Sequence, residues 1–216
     1  MRNIIKNTAS FIMWVLSKLY PYQLNLRLKG YRNIVYTLWI KNFMGQVGDK
    51  TNFKYPLRLQ GGGYKRIHIG SRTCFQAYCV IGCWEKHEQE RFAPDIIVGD
   101  DCNIGEFCHI SAVKKITIGN GLLTGRFVYI GDNSHGGLSW KEAAIPPGKR
   151  HLKSKGEIKI GNNVWIADKV TILGGVTIGD NVIIGAGSVV NNDVPSNCIV
   201  AGIPANIIKK LSLNNE

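Results

Sequence analysis

Among side chains that titrate near neutral pH, this 216-residue chain carries five histidines: His68, His87, His109, His135 and His151. His135 is set apart by its surroundings. It ends Ile130-Gly131-Asp132-Asn133-Ser134-His135 and precedes a stretch holding Gly136, Gly137, Pro146, Pro147 and Gly148. An imidazole with a reference pKa near ~6.5 suits general-base work near neutrality. Asp132 and Asn133 are placed to orient that ring through a short hydrogen bond. A solvated turn histidine with polar neighbours would look the same from position alone. Of the six cysteines, Cys79 and Cys83 are separated by three residues, but no second pair supports a zinc site, and no metal is expected.

The elements that must position His135 are written in a repeat. Residues 160 to 195 read as six unbroken six-residue words opening at Ile160, Ile166, Ile172, Ile178, Ile184 and Val190. Such a period signals a parallel β-helix. The first and fifth residues of each word face inward, and the second is small because a Cβ there would crowd the corner. Three words close one coil. The phase continues upstream through Ile118, Thr124 and Ile130, through Val98, Ile104 and Ile110, through Ile69, Phe75 and Ile81, and through a degenerate coil near Val47, Phe53 and Leu59. Thr124 is a polar, imperfect match. Cys79, Cys102 and Cys108 fall on the inward fifth place, which points to structural thiols in a reducing compartment.

Two interruptions break the phase, at residues 87 to 97 and 136 to 159. Long insertions on a regular solenoid tend to be functional. The expected organisation is a basic, helical leader over 1–45, a solenoid over 46–205 with an inserted loop at 136–159, and a tail over 206–216. In that tail, Ile207 to Leu213 are expected to form a short helical segment.

Lys and Arg exceed Asp and Glu by 27 − 15 = 12, and residues 1–66 hold twelve basic residues against the single acid Asp49. Two readings of that excess stand: attraction to anionic lipid or phosphate-bearing glycan carriers, or an exposed basic face that keeps the protein soluble. No nucleic-acid motif accompanies the charge, so nucleic acid is not an expected partner. Ala9 to Leu16 is too short to span a bilayer, and no small-x-small cleavage site follows it. The expectation is a cytoplasmic protein touching the inner face of the membrane through this helix.

Asp132-Asn133-Ser134-His135-Gly136, Pro146-Pro147, Ser154-Lys155-Gly156 and Ile160-Gly161-Asn162-Asn163-Val164-Trp165-Ile166 together resemble the hexapeptide-repeat acetyltransferases. The nearest branches are the galactoside and maltose O-acetyltransferases and those of surface-polysaccharide assembly. Pro195-Ser196-Asn197 leading to Ala201-Gly202-Ile203-Pro204-Ala205 is similar to that family's closing signature. The resemblance runs from about residue 98 to 209, is weaker from 47 to 97, and is absent before that.

The resemblance implies a left-handed β-helix, a homotrimer with active sites shared between neighbours, and acetyl-CoA as cosubstrate. It also implies that His135 removes the proton from a sugar hydroxyl that attacks the thioester directly, in O-antigen or capsule assembly, on a free, nucleotide-linked or lipid-linked glycan. It lays the coenzyme along Trp165, Ala167, Gly185 and Ala186, with Asn191 and Asn192 matching a Thr-Lys pair near the adenosine end. Trp165 would read equally as a surface aromatic covering a coil corner. Asn206 stands where some relatives place an Arg, and Lys209 and Lys210 are left to supply charge. His109 and Tyr129 are candidate acceptor contacts, as is the run Gly61-Gly62-Gly63-Tyr64, while packing against a neighbouring chain is the other reading of His109.

Four rival activities share some of these features. A sugar N-acetyltransferase needs the same base and cleft. An antibiotic acetyltransferase usually carries an Asn-His-x-Met-like motif, from which Asn133-Ser134-His135-Gly136 departs. A γ-class carbonic anhydrase needs two histidines five residues apart, but Trp140 occupies that place after His135. A non-enzymatic scaffold would have no use for His135.

Overall fold

The structure, a computed structural model describing residues 2–137 and 139–211, is a left-handed parallel β-helix. Its three faces are each a ladder of short parallel strands. The first face runs Gln46–Val47, Ile67–Ile69, Asp95–Val98, Lys115–Ile118, Ile158–Ile160 and Thr177–Ile178. The second runs from Asn52–Phe53 through Leu123–Thr124 and Trp165–Ile166 to Cys198–Gly202. The third runs from Arg58–Gln60 through Val80–Cys83, His109–Ala112, Tyr129–Gly131 and Thr171–Leu173 to Val189–Val190. Word-opening residues pair with one another on every face: Ile118↔Ile160, Thr124↔Ile166 and Ile130↔Ile172.

That register stacks Ile69, Val98, Ile118, Ile160 and Ile178 as one buried column, with parallel columns behind the other two faces. Burying each such side chain contributes about 1.5–3 kcal/mol. Thr124 is buried within its column, and its hydroxyl accepts the Gly105 N–H at 2.7 Å. The mismatch in the repeat is therefore satisfied locally.

The corners explain the rest of the word. At the second place, a Cβ on Gly99 would lie 2.7 Å from the backbone carbon of Gly119 one coil away, so only glycine fits. The fourth place takes a positive φ even where it is not glycine, as at Asp101, Phe107, Phe127, Asn163 and Asn181. That conformation costs roughly 1–2 kcal/mol per residue. Stacking between coils offsets it: the Tyr78, Phe107 and Phe127 rings lie parallel at 4.8 and 4.9 Å, and the Asn181 amide donates to Asn197 at 2.9 Å.

Helix α1 (Arg2–Leu19) buries no residue, whereas α2 (Tyr22–Ile40) closes the open end of the solenoid. The Thr37 hydroxyl accepts the Phe53 N–H at 2.9 Å, the Tyr36 hydroxyl donates to the Leu57 carbonyl at 2.6 Å, and Ile40 is buried. The solenoid thus receives a capping element at its first coil.

The opposite end departs from expectation. Ala205–Lys210 is a strand, not a helical turn, and it pairs antiparallel with Cys198–Gly202. The last coil leaves an open strand edge, and reversing the chain satisfies its N–H and C=O groups. Ile207 and Ile208, both β-branched, favour the extended form. Residues 212–216 of the expected helical tail lie outside the described residues.

The insertion over 136–159 is likewise more than a loop. Ser134–His135 and Leu152–Lys153 pair antiparallel as its root. Beyond the root stands a single helical turn, α3 (Trp140–Ala143), capped by the Ser139 hydroxyl, which accepts the Glu142 N–H. Glu142 also pairs with Lys153 at 2.5 Å, and that contact and Ser139 hold its carboxyl down to about 2. The coil resumes at Ile158.

Candidate active site

Parallel register on the third face sets His109 opposite Tyr129 and Ser111 opposite Gly131 and Gly82. The two glycines leave room that large neighbours fill. A Cβ on Gly82 would meet the Trp84 indole 2.7 Å away, and one on Gly131 would overlap the Tyr129 phenol. The Trp84 indole N–H donates to Ser111 Oγ at 3.2 Å. The Asn133 amide donates to the same oxygen at 3.1 Å and to the Ser111 carbonyl at 3.0 Å. Ser111 is thus the tied-down floor of a hollow of 210 Å³ walled by Trp84, His87, His109, Tyr129, Asn133, His135 and Leu152.

The unused polar groups of this hollow are imidazoles. His109 Nε2 is buried with no hydrogen-bond partner among the described residues. Burial, and secondarily the charge of Arg58, push the His109 pKa down, so the ring is neutral at pH 7. Burial and the nearby Asp132 charge push the Tyr129 phenol up, so it keeps its proton. His135 is exposed at the rim, and its ring meets His87 edge to face with centroids 5.3 Å apart. Burial drives the Cys79 and Cys83 thiols up to about 12, which leaves no thiolate there near neutrality.

The expected orienters of His135 do something else. Asp132 is 1 % exposed, and its carboxylate accepts the backbone N–H groups of Val113, Lys114 and Lys115 at 2.8, 2.8 and 2.9 Å. Asn133 spends its amide on Ser111 and Asp132. Asp132 holds the corner from which His135 departs, Asn133 lines the hollow, and neither side chain hydrogen-bonds the imidazole. The reason is geometric: within the word, Asp132 follows Gly131 at the bend and turns inward, while His135 lies beyond the bend on the insertion's root.

Of the residues expected to hold coenzyme, Trp165, Ala167, Gly185 and Ala186 form a separate strip. Trp165 is 49 % exposed on the second face. Ala167 and Gly185 occupy equivalent corner positions in successive coils, their N–H groups donating to Ile184 at 3.0 Å and Val200 at 2.8 Å. A Cβ on Gly185 would lie 2.8 Å from the Ala201 Cβ, so coil stacking alone already demands a small residue there. Ala186 is exposed at the same corner, and Lys209 and Lys210 project from the terminal strand, whereas Asn191 and Asn192 are exposed beyond the third face, at the corner that His135 leaves. Within one chain the third face separates Ala167, Gly185 and Ala186 from His135. The structure therefore brings His109, Tyr129, Asn133 and His135 together but not the coenzyme strip. Gly61 to Tyr64 stay outside the hollow, where Gly62 bridges the backbone of Trp84.

Residues 157–192 match the family model described as bacterial transferase hexapeptide (six repeats). A protein of Lysinibacillus sphaericus named for macrolide acetyl transfer is 38% identical over 136 residues, covering 58% of this chain and 71% of its own length. The chain belongs to the hexapeptide-repeat acetyltransferases. Another relative, from Escherichia coli and named for O-acetyl transfer in lipopolysaccharide biosynthesis, is 38% identical over 119 residues, 53% of this chain. The match spans 60% of that relative's length. A solved galactoside acetyltransferase in complex with coenzyme A is similar over 80% of this chain and 68% of its own, at 27% identity and a TM-score of 0.54.

For this member of the family, sequence reasoning missed Trp84, His87, Ser111 and Leu152. A usable signal existed in the phase. Ile81 to Val98 and Ile130 to Ile160 are both over-long steps from a third-face word to a first-face word. Both insertions therefore leave the same corner and must lie over one another.

Proposed function

We propose that this protein transfers the acetyl group of acetyl-CoA to a sugar hydroxyl, working as a homotrimer in surface-polysaccharide assembly, with His135 as general base. The observation that carries the reading is the hollow in which an accessible imidazole faces a neutral, unpartnered one across a floor fixed by Ser111. The neutral His135 ring accepts the proton of the acceptor hydroxyl as its oxygen attacks the thioester carbonyl. The C–O bond forms, the C–S bond breaks, and the leaving thiolate takes the proton back from the imidazolium. No acyl-enzyme is needed, consistent with thiols held protonated by burial.

In this reading His109 meets a second hydroxyl of the acceptor, and Trp84 and Tyr129 offer aromatic walls to a sugar ring. A trimer supplies what one chain lacks, since the strip at Trp165, Ala167, Gly185 and Ala186 would face the His135 of a neighbour. Lys209 and Lys210 would meet coenzyme phosphates, and the net charge of +12 would gather the anionic cosubstrate.

Helix α1 suits a lipid-linked acceptor. At helical spacing, Ile4, Ile5, Phe11, Ile12 and Leu16 share one exposed side, with Lys6 opposite. The contact we infer is peripheral, at the cytoplasmic face, made by the apolar side of α1; no helix among the described residues is long and apolar enough to cross a membrane.

The macrolide relative supports a second reading, transfer to an antibiotic, and an amino sugar would use the same base. Incubation with acetyl-CoA and a panel of free and lipid-linked glycans, amino sugars and macrolides separates these acceptors. The proposal expects glycans that gain one acetyl group by mass and lose it in mild alkali, as esters do. An alkali-stable acetyl group on amines, or acetylated macrolides with untouched glycans, would favour the alternatives. Light scattering that finds only a monomer would remove the shared cleft.

A further inference from the structure

Two segments that the repeat itself does not require meet beside His135. One is the hairpin of Lys86–His87 and Glu90–Arg91; the other is the root at which Ser134–His135 pairs with Leu152–Lys153. Glu90 ties them with both oxygens. Its Oε1 lies 2.9 Å from His151 Nδ1, within ion-pair reach, and its Oε2 accepts the Leu152 N–H at 3.1 Å. Leu152 is the residue paired with His135 across the root. His87 adds a third tie, its Nε2 donating to the Arg150 carbonyl at 3.0 Å, and its ring stands edge-on to the His135 ring.

These ties do nothing for the solenoid core, because no residue from 85 to 92 is buried. A ladder of two residues is marginal in water without support. A histidine on such a ladder would wander with it, and a misplacement of ~1 Å at a catalytic group can cost ~10²-fold in rate.

We propose that the hairpin is a positioning arm for His135. Glu90 fixes the strand opposite the base, and His87 both anchors the returning chain and limits the imidazole to rotamers that face the hollow. His87 and Glu90 act through His135, so both are positioning residues. The arm also makes His87 and Leu152 walls of the acceptor hollow, so acceptor entry and base alignment depend on one structure. The inference rests on His135 as the base.

The test uses full-length protein carrying Glu90→Ala, His87→Ala or His87→Gln, the last keeping an amide donor for the Arg150 carbonyl while removing the ring. One readout is hydrogen exchange at the Gly136 amide, which bonds the His151 carbonyl within the root at 2.8 Å and touches neither arm residue. The other is kcat on an acceptor the wild type acetylates, beside KM for acetyl-CoA. Glu90→Ala and His87→Ala should speed exchange at Gly136 and lower kcat on the order of 10-fold, with acetyl-CoA KM unchanged. His87→Gln should recover the exchange protection and part of kcat. Unchanged Gly136 exchange in Glu90→Ala would overturn the arm, as would faster exchange with kcat intact. Because exchange is read without turnover, failure of the arm is distinguishable from failure of His135 as the base, which His135→Ala reads separately.

Discussion

Replacing Asp132 by asparagine distinguishes a corner-holding carboxylate from a histidine-orienting one. The carboxylate sits in a ring of donors. Oδ1 takes the Val113 N–H and the Asn133 amide, while Oδ2 takes the Lys114 and Lys115 N–H groups. In the Asp132→Asn variant one of those oxygens becomes an NH2 group facing donors, so at least two bonds are lost. The better orientation keeps Oδ1 and strands the Lys114 and Lys115 N–H groups. Each stranded donor costs about 1–3 kcal/mol, and both are part-buried, so about 2–4 kcal/mol is expected in all. The volume hardly changes, so no cavity contributes.

Urea unfolding at fixed protomer concentration should show that loss as a lower midpoint with an unchanged slope. Acetyl transfer, assayed where the variant is still folded, should fall by less than about 10-fold, because Asp132 makes no bond to the imidazole. Were Asp132 the orienting member of a catalytic pair, the same substitution would behave as in serine-protease triads and cost about 10⁴-fold in kcat. Near-native stability with such a collapse of kcat would refute the reasoning.

Three further outcomes are expected. Trp165→Ala should raise KM for acetyl-CoA by removing a packing face, and Lys209→Ala with Lys210→Ala should do so in a salt-dependent way; unchanged coenzyme affinity in both would put the coenzyme on other coils. Because burial lowers the His109 pKa, the unfolded chain binds its proton at higher pH than the folded chain, so this contribution to stability is lost as pH falls below about 6.5. His109→Asn should therefore flatten the acid-side decline of the urea midpoint, and an identical decline would contradict it. Deleting residues 1–18 should abolish salt-sensitive binding to anionic liposomes while sparing acetyl-CoA affinity, since α1 buries nothing against the solenoid; a full-length protein that ignores such liposomes at low salt would end the membrane reading.

The solenoid was legible because its period is enforced by contacts that repeat. Ile118 must face Ile160, and Gly99 must face Gly119, so the same residue types recur at the same phase. Departures from the period were legible as positions but not as structures. The chain after Gly202 carries no repeat, and its choice of strand over helix is decided by an open sheet edge that only the finished fold presents. His135 stood out through its word, its insertion and its motif. His87 and Glu90 did not, because what gives them meaning is contact with Arg150, His151 and Leu152, about 60 residues away. Asp132 was misread for the converse reason: adjacency in sequence suggested contact with His135, while the bend at Gly131 turns the two side chains apart.

The central claim, that His135 is the base, meets its most direct test in His135→Ala, measured for acetyl transfer and acetyl-CoA affinity on the same preparation. The ring is exposed and its loss opens no core cavity, so folding and assembly should be preserved. The account predicts transfer lowered by about 10²–10⁴-fold with the acetyl-CoA Kd unchanged. Near-wild-type turnover on any acceptor the native protein acetylates would contradict it.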